Sequence, residues 1–182
     1  RYEIVDEGYE EIDWYYPSGQ SGMYYSFFGA YAHSIKDADS RVPLIIWLQG
    51  GPGASSQFGA FTELGPIKVT KERISQMPYS WNIMGHTLFI DQPLTVGFSY
   101  VKNKSIPLVS SAKQAADHLL NFLDNLYKRW PALKASPLYI TGESFAGHYL
   151  PAFGAKIVYN SSFLKATGIN FEGVAIGDGW TD

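Results

Sequence analysis

The sequence predicts an α/β fold in which a mostly parallel sheet alternates with helices and begins with an antiparallel hairpin. Short unbroken apolar runs, typical of strands that are buried on both faces of a parallel sheet, occur at residues 42–48, 86–90, 137–140 and 171–176. Helical patterns at residues 111–130 and 144–159 lie between the later runs. Strands and helices that alternate in this way indicate right-handed βαβ connections.

The first predicted element is an aromatic-rich hairpin. Its strands are expected at residues 9–16 and 23–28, about a turn at Pro17-Ser18-Gly19. The helix at residues 111–130 has an apolar side, and we expect it to begin at a serine N-cap, Ser110 or Ser111, and to stop at a proline. The second helix, at residues 144–159, follows the third apolar run directly.

Composition and charge limit the class of protein. The 182 residues, 46% of them hydrophobic, suit one globular domain, and no window approaches a membrane span. The net charge of -3 is scattered, so neither nucleic acid nor a membrane surface is predicted as a partner. The chain has no cysteine, which leaves its redox compartment open. Two sequons, Asn103-Lys104-Ser105 and Asn160-Ser161-Ser162, would accept glycans in a secretory compartment.

The segment Gly142-Glu143-Ser144-Phe145-Ala146-Gly147 is the most informative motif, because it lies between a predicted strand and a predicted helix. In α/β-hydrolases the nucleophile occupies such a turn, which accepts only small side chains two residues before and two residues after it. Gly142 and Ala146 fill those positions. A serine that merely caps a helix is the alternative for Ser144, and the motif alone leaves both interpretations open.

A glycine-rich loop, residues 49–54, follows the buried strand at residues 42–48. In an α/β-hydrolase the oxyanion is held by the N–H after the nucleophile, here Phe145, and by an N–H from a loop after an earlier strand. Gly51 is the candidate for that second donor. A simple turn and a phosphate-binding loop are alternatives, and the absence of a Gly-Lys-Ser/Thr ending argues against the latter. We predict no metal and no cofactor.

Taken together, the motifs resemble the serine carboxypeptidase family in order and spacing, most closely its vitellogenic-like subgroup. The resemblance runs through five blocks: Trp47-Leu48-Gln49-Gly50-Gly51-Pro52-Gly53, Glu63-Leu64-Gly65-Pro66, Asp91-Gln92-Pro93-Leu94-Thr95-Val96-Gly97-Phe98-Ser99-Tyr100, Gly142-Glu143-Ser144-Phe145-Ala146-Gly147 and Gly177-Asp178-Gly179-Trp180-Thr181-Asp182. It implies an α/β-hydrolase fold and a lysosomal, vacuolar or secreted exopeptidase that removes C-terminal residues from peptides at acidic pH.

The resemblance also implies roles for individual residues. The residues that recognise the substrate's terminal carboxylate correspond to Trp47, Gln49, Gly50 and Glu143, and a second acidic partner corresponds to Glu63. The sequence departs from the family at three of its positions. Family members commonly have Asn where this chain has Gln49, and often Cys at Ala54 and Tyr at Phe145.

An acidic optimum has a physical reason. Glu143 is adjacent to the nucleophile, where it would meet the substrate's carboxylate, and two anions in contact repel. A proton shared between Glu143 and Glu63, or between Glu143 and the substrate, removes the repulsion, so peptide binding should weaken as pH rises toward neutrality. The alternatives are a surface glutamate in a turn for Glu143 and an ordinary helix-end glutamate for Glu63.

The triad of this fold runs Ser, then acid, then His along the chain. The histidines, His33, His86, His118 and His148, all come too early to be the general base, and Asp178 and Asp182 come too soon to be the acid. We therefore expect the N-terminal part of a longer enzyme, inactive alone, whose open sheet edge is covered by the remaining part. His148 is expected to be a packed or solvated helix residue, and the Asp178 segment a strand-end loop near the cleft.

These inferences leave three functions to compare. The first is a serine-type carboxypeptidase that acts through an acyl-enzyme on Ser144. The second is an acyltransferase of the same fold, in which an alcohol replaces water. The third is a non-catalytic relative. The carboxylate-recognising Glu143 favours the peptidase, with peptide or protein C-termini as substrate, and the sequence gives no prediction of oligomeric state.

Overall fold

The computed structural model describes residues 3–37 and 41–182 and confirms the mostly parallel sheet with an antiparallel start. The strands in this part of the chain are β1 (Ile4–Glu10), β2 (Ser21–Phe28), β3 (Leu44–Leu48), β4 (Ile67–Val69), β5 (Ile74–Gln76), β6 (His86–Ile90), β7 (Tyr100–Val101), β8 (Pro137–Glu143) and β9 (Asn170–Gly177). The helices are α1 (Ala112–Arg129), α2 (Ala146–Val158) and α3 (Ser161–Thr167).

The main sheet has seven strands in the order β1-β2-β6-β3-β8-β9, with β7 paired to β2. Strand β3 lies parallel to β6 and β8, and β9 lies parallel to β8, whereas β1, β2 and β6 pair antiparallel. Leu48 is in register with Gly142, which in turn pairs with Ile176. The carboxyl ends of these parallel strands therefore meet at one edge of the sheet, where ligands bind in open α/β sheets.

The prediction for the hairpin was right about its pairing and wrong about its first strand. Strand β1 ends at Glu10, and residues 12–16 form a turn in which Tyr15 N and Tyr16 N donate to Ile12 O at 3.1 and 3.0 Å. The turn is fastened to α1, because Trp14 N donates to Asn121 Oδ1 at 2.8 Å. The aromatic residues here pack against a helix instead of extending a strand.

Helix α1 agrees with its prediction at both ends. It begins after Ser111, whose Oγ accepts a hydrogen bond from Gln114 N at 3.2 Å, and it ends at Arg129 before a short 3-10 helix, Pro131–Ala135. Helix α2 begins two residues after Ser144. The short β4–β5 hairpin was not predicted.

The core lies mainly between the sheet and helices α1 and α2. Its buried side chains come from strands β2, β3, β6 and β8 and from the inner faces of both helices. A smaller buried cluster consists of Phe28, Trp47, Ala60, Leu64 and Phe89. Strand β9 forms an edge of the sheet, and its Val174 and Ile176 are each 39% exposed. No helix of the described residues combines the length and the apolar character that crossing a membrane requires.

Candidate active site

Ser144 lies on the sharp turn between β8 and α2, with an exposed side chain and a left-handed backbone φ of 56°. Such a φ is unfavourable for a residue with a β-carbon and persists only where the surroundings impose it. Here, Ser144 N donates to Gly177 O at 3.1 Å, and Ser144 O accepts from Gly147 N at 2.9 Å and from Trp180 N at 2.8 Å. The turn is thus held from both sides.

The residues that flank Ser144 are small because other groups fill the space that larger side chains would need. A β-carbon added to Gly142 would lie less than 3.0 Å from Leu48 O, and 2.7 Å from the β-carbon of Ala146. Ala146 is itself fully buried. Neighbouring strand β3 and the first turn of α2 therefore close on the turn and fix where the serine stands.

The glycine loop that follows β3 packs directly on this turn. A β-carbon on Gly50 would lie 2.7 Å from both Glu143 O and Phe145 N. Gly51 has a φ of 110°, in the region that favours glycine, and Ala54 N closes the loop by donating to Gly50 O at 3.1 Å. Within the described part of the chain, the Gly51 and Phe145 amides have no hydrogen-bond acceptor. The two N–H groups predicted to form the oxyanion site are therefore unpaired, and they belong to backbone segments that pack on each other.

A chain of hydrogen bonds joins the predicted carboxylate-recognising residues. Trp47 Nε1 donates to Gln49 Oε1 at 2.9 Å, and Gln49 Nε2 donates to Glu143 Oε1 at 2.5 Å. Trp47 and Gln49 are each 6% exposed, while Gln49 N donates to Ser56 Oγ at 3.0 Å. The indole fixes the orientation of the amide, so the longer stem of Gln49 still presents an N–H group to Glu143.

Glu63 comes to this cluster from a π-helical turn, Gly59–Glu63. Burial raises the pKa of the Glu63 carboxyl, and the charge of Glu143 raises it further, against an opposing hydrogen bond from Gln49. Its Oε2 is buried and makes no hydrogen bond to the described residues. The charge of Glu143 therefore favours the protonated form of Glu63.

The sequence reasoning missed two residues at this edge of the sheet. Gly59 lies against the indole and the amide just described, since a β-carbon there would be 2.9 Å from Gln49 Oε1 and closer still to Trp47 Nε1. Asp91 is fully buried after β6, and its Oδ1 accepts from Ser55 Oγ at 2.6 Å. An isolated glycine or aspartate in a loop gives no local signal of such contacts, although Asp91 opens one of the recognised blocks.

His148 packs against aromatic rings. Its ring centroid lies 4.6 Å from that of Phe145 and 5.8 Å from that of Trp180, and its side chain is half-buried. Across the residues that the structure describes, no side chain is hydrogen-bonded to Ser144 Oγ. No group of three or more His, Cys, Asp or Glu residues in this part of the chain could hold a metal ion. The bond from Ser144 N to Gly177 O places the Asp178 segment beside the serine turn.

Comparisons with known proteins agree with this geometry. The profile of the serine carboxypeptidase family matches residues 8–182. Serine carboxypeptidase-like 42 from Arabidopsis thaliana is 41% identical over 176 residues, which cover 94% of this chain and 35% of that protein. The vitellogenic carboxypeptidase of Aedes aegypti is 38% identical over 148 residues, which cover 81% of this chain and 31% of that protein. The chain thus spans about a third of the length of these relatives.

Solved structures show the same relationship. The crystal structure of a prohormone-processing carboxypeptidase from Saccharomyces cerevisiae superposes with a TM-score of 0.78 at 32% identity, over 96% of this chain and 38% of that chain. The proline iminopeptidase of Mycobacterium smegmatis, at 15% identity and a TM-score of 0.50, shares only the fold. The fold is that of the α/β-hydrolases, and the chain belongs to the serine carboxypeptidase family.

Proposed function

We propose that the full-length protein is a serine-type carboxypeptidase that removes C-terminal residues from peptides. Ser144 Oγ attacks the last peptide carbonyl carbon, and its proton passes to a general base. The amides of Gly51 and Phe145 hold the oxyanion, the C–N bond breaks, and the released amino acid takes up the proton. Water then hydrolyses the acyl-enzyme.

The observation that carries this proposal is the position of the Gln49–Glu143 pair. Glu143 immediately precedes the serine, and its carboxyl lies 2.5 Å from the amide nitrogen of Gln49. A terminal carboxylate bound at these groups would place the preceding peptide bond beside Ser144. Trp47, through its hydrogen bond to Gln49, and Gly50, through its packing on the turn, support this recognition site.

Activity should be greatest at acidic pH. Glu63 holds its proton to higher pH than an ordinary glutamate, because it is partly buried and faces the charge of Glu143. While the proton is present, the Glu63–Glu143 pair can donate a hydrogen bond to a carboxylate. When the proton is lost, the pair repels the carboxylate, so we expect KM to rise with pH.

The remaining parts of the mechanism belong to the longer protein. We propose that a triad Asp and His, supplied by sequence outside these 182 residues, complete the site around Ser144. The same remaining part should cover the exposed side chains of strand β9, Val174 and Ile176. The presence of such a remaining part agrees with the length of the relatives, which are about three times as long as this chain.

We also propose a lysosomal, vacuolar or secreted location with N-linked glycans. The two sequons differ in their surroundings. Asn103 is exposed in a loop, and its Oδ1 accepts from Ser105 Oγ at 2.7 Å. Asn160 is half-buried and caps α3, accepting from Phe163 N at 3.1 Å. Asn103 is therefore the more accessible glycan acceptor. The change in mass on endoglycosidase treatment, compared between the Asn103→Gln and Asn160→Gln proteins, tests which of the two sites carries a glycan.

The function is tested with matched substrates on the full-length protein. We expect release of the last residue from an N-blocked dipeptide, little release from the same dipeptide with a C-terminal amide, and none by Ser144→Ala. Equal cleavage of the acid and the amide would contradict carboxylate recognition. Acyl transfer from an acyl glucoside to an alcohol, without dipeptide cleavage, would instead identify an acyltransferase.

A further inference from the structure

Asp91 forms a buried junction at the carboxyl end of β6. Its Oδ1 accepts from Ser55 Oγ at 2.6 Å, its Oδ2 accepts from Phe98 N at 2.9 Å, and its backbone O accepts from Ser99 Oγ at 2.5 Å. Asp91 itself is 0% exposed. A buried carboxylate is stabilised only when its oxygens are hydrogen-bonded, and both oxygens of Asp91 have donors.

The chain is shaped to admit this carboxylate. Gly97 has a φ of 55°, and a β-carbon at this position would overlap Asp91 Oδ2 and lie 2.8 Å from Ser55 Oγ. A side chain at position 97 would therefore displace the carboxylate from the serine. The segment from Asp91 to Ser99 folds back on its own first residue, and this fixes the direction in which the carboxylate points.

Ser55 connects this junction to the glycine loop. It lies four residues after Gly51, and the next residue, Ser56, accepts the hydrogen bond from Gln49 N. The hydroxyl of Ser55 also accepts from Gln57 N at 3.2 Å, so its orientation is defined. The loop that carries the Gly51 amide is thus tied at its far end to Asp91, and at its near end it packs on the turn at Phe145 N through Gly50.

We infer that Asp91 is a positioning residue, which acts through Ser55 to hold the Gly51 amide in line with the Phe145 amide. This inference rests on the proposed function, because the two amides matter only when an oxyanion forms between them. Oxyanion contacts are made in the transition state and not in the bound substrate. The hydrogen bond between Ser55 and Asp91 is called the tether below. Weakening it should therefore lower kcat and leave KM nearly unchanged.

The tether is best tested at Ser55, because Asp91→Ala would remove two hydrogen bonds from a fully buried position at once. Loss of an entire oxyanion donor costs about 10²- to 10³-fold in kcat, so displacement of one donor in Ser55→Ala should cost about tenfold. We expect KM within about twofold of wild type, and recovery of kcat in Ser55→Thr, which keeps the hydroxyl.

Two further variants complete the experiment. Asp91→Asn can accept from Phe98 N with its oxygen and donate to Ser55 Oγ with its nitrogen, so it should retain most of the activity. Thr167→Val is the matched control, because it removes a buried hydroxyl, bonded to Phe163 O at 2.8 Å, in α3. It should change only thermal stability.

The outcomes separate the tether from the proposed function. If full-length wild type releases no amino acid from blocked dipeptides, the carboxypeptidase proposal fails. If wild type is active and Ser55→Ala has an unchanged kcat, or if Ser55→Thr is as slow as Ser55→Ala, the positioning role of Asp91 is wrong and the carboxypeptidase proposal stands.

Discussion

The packing beneath Ser144 gives a direct prediction for Gly142→Ala. The added methyl carbon would meet Leu48 O, a backbone atom of the central strand, and Ala146, both at less than 3.0 Å. Neither neighbour is the end of a flexible side chain, so the strand or the start of α2 must move. Overpacking of this kind costs about 1–3 kcal/mol, equivalent to a reduction of about 5- to 150-fold in the folding equilibrium constant.

Gly8→Ala is the matched control for this substitution. Gly8 lies on strand β1 at the opposite edge of the sheet, where an added β-carbon has nothing within 4 Å, and we expect a change between zero and a gain of up to about 1 kcal/mol. Urea unfolding of the full-length variants measures the free energies, and the rate of Ser144 labelling by a phosphonate measures the geometry of the turn. If Gly142→Ala unfolds and labels like wild type, close packing does not determine the position of the serine.

Three further predictions concern charged and titrating groups. Glu63 binds its proton more tightly in the folded than in the unfolded protein, so the free energy of unfolding should fall as pH rises above about its usual pKa of 4.5, and Glu63→Gln should flatten this dependence in urea titrations at several pH values. Burial lowers the pKa of His86 to about 4, so below pH 6.5 the unfolded protein binds more protons than the folded protein. Acidification from neutral pH to pH 5 should therefore lower the free energy of unfolding by about 2 kcal/mol. His86→Asn, whose side-chain oxygen can accept from Ala30 N, should abolish this loss. Arg129 Nε lies 2.7 Å from the carboxyl of buried Glu10, and the Arg129 side chain is half exposed. Arg129→Met should therefore destabilise the protein by about 1–2 kcal/mol at pH 7, and by less at an acidic pH at which Glu10 is protonated. Thermal melts at pH 7 and at the acidic pH measure the difference.

The fold was predictable wherever burial produced a simple sequence pattern. The run at residues 42–48 contains β3, Leu44–Leu48, whose side chains are all apolar and buried, as expected of a strand covered on both faces. The first hairpin strand was misplaced because apolar and aromatic residues at positions 12–16 look alike whether they face a sheet or a helix. Strands β4 and β5 were missed because each has only three residues and they are mostly exposed.

From the residues alone, without the family resemblance, the candidate site was predictable in its local parts only. The serine turn is recognisable because its steric requirements fall on consecutive residues. The pairing of Asp91 with Ser55 joins positions 36 residues apart, and each of them looks like an ordinary polar loop residue. The approach of Glu63 to Glu143 likewise depends on a π-helical turn, for which the sequence has no distinct pattern.

The glycines of the site show why its sequence pattern is so easily recognised. Three of them mark places where a different element approaches the backbone: Gly50 meets the serine turn, Gly142 meets β3, and Gly147 meets the backbone of Trp180. These contacts are between backbones, so no compensating change in a neighbouring side chain can make room for a larger residue. The spacing of small residues in the sequence therefore indicates where backbones pack against each other in the fold. Side-chain contacts, such as those of Asp91, can be made by other residue types, so they produce no comparable sequence pattern.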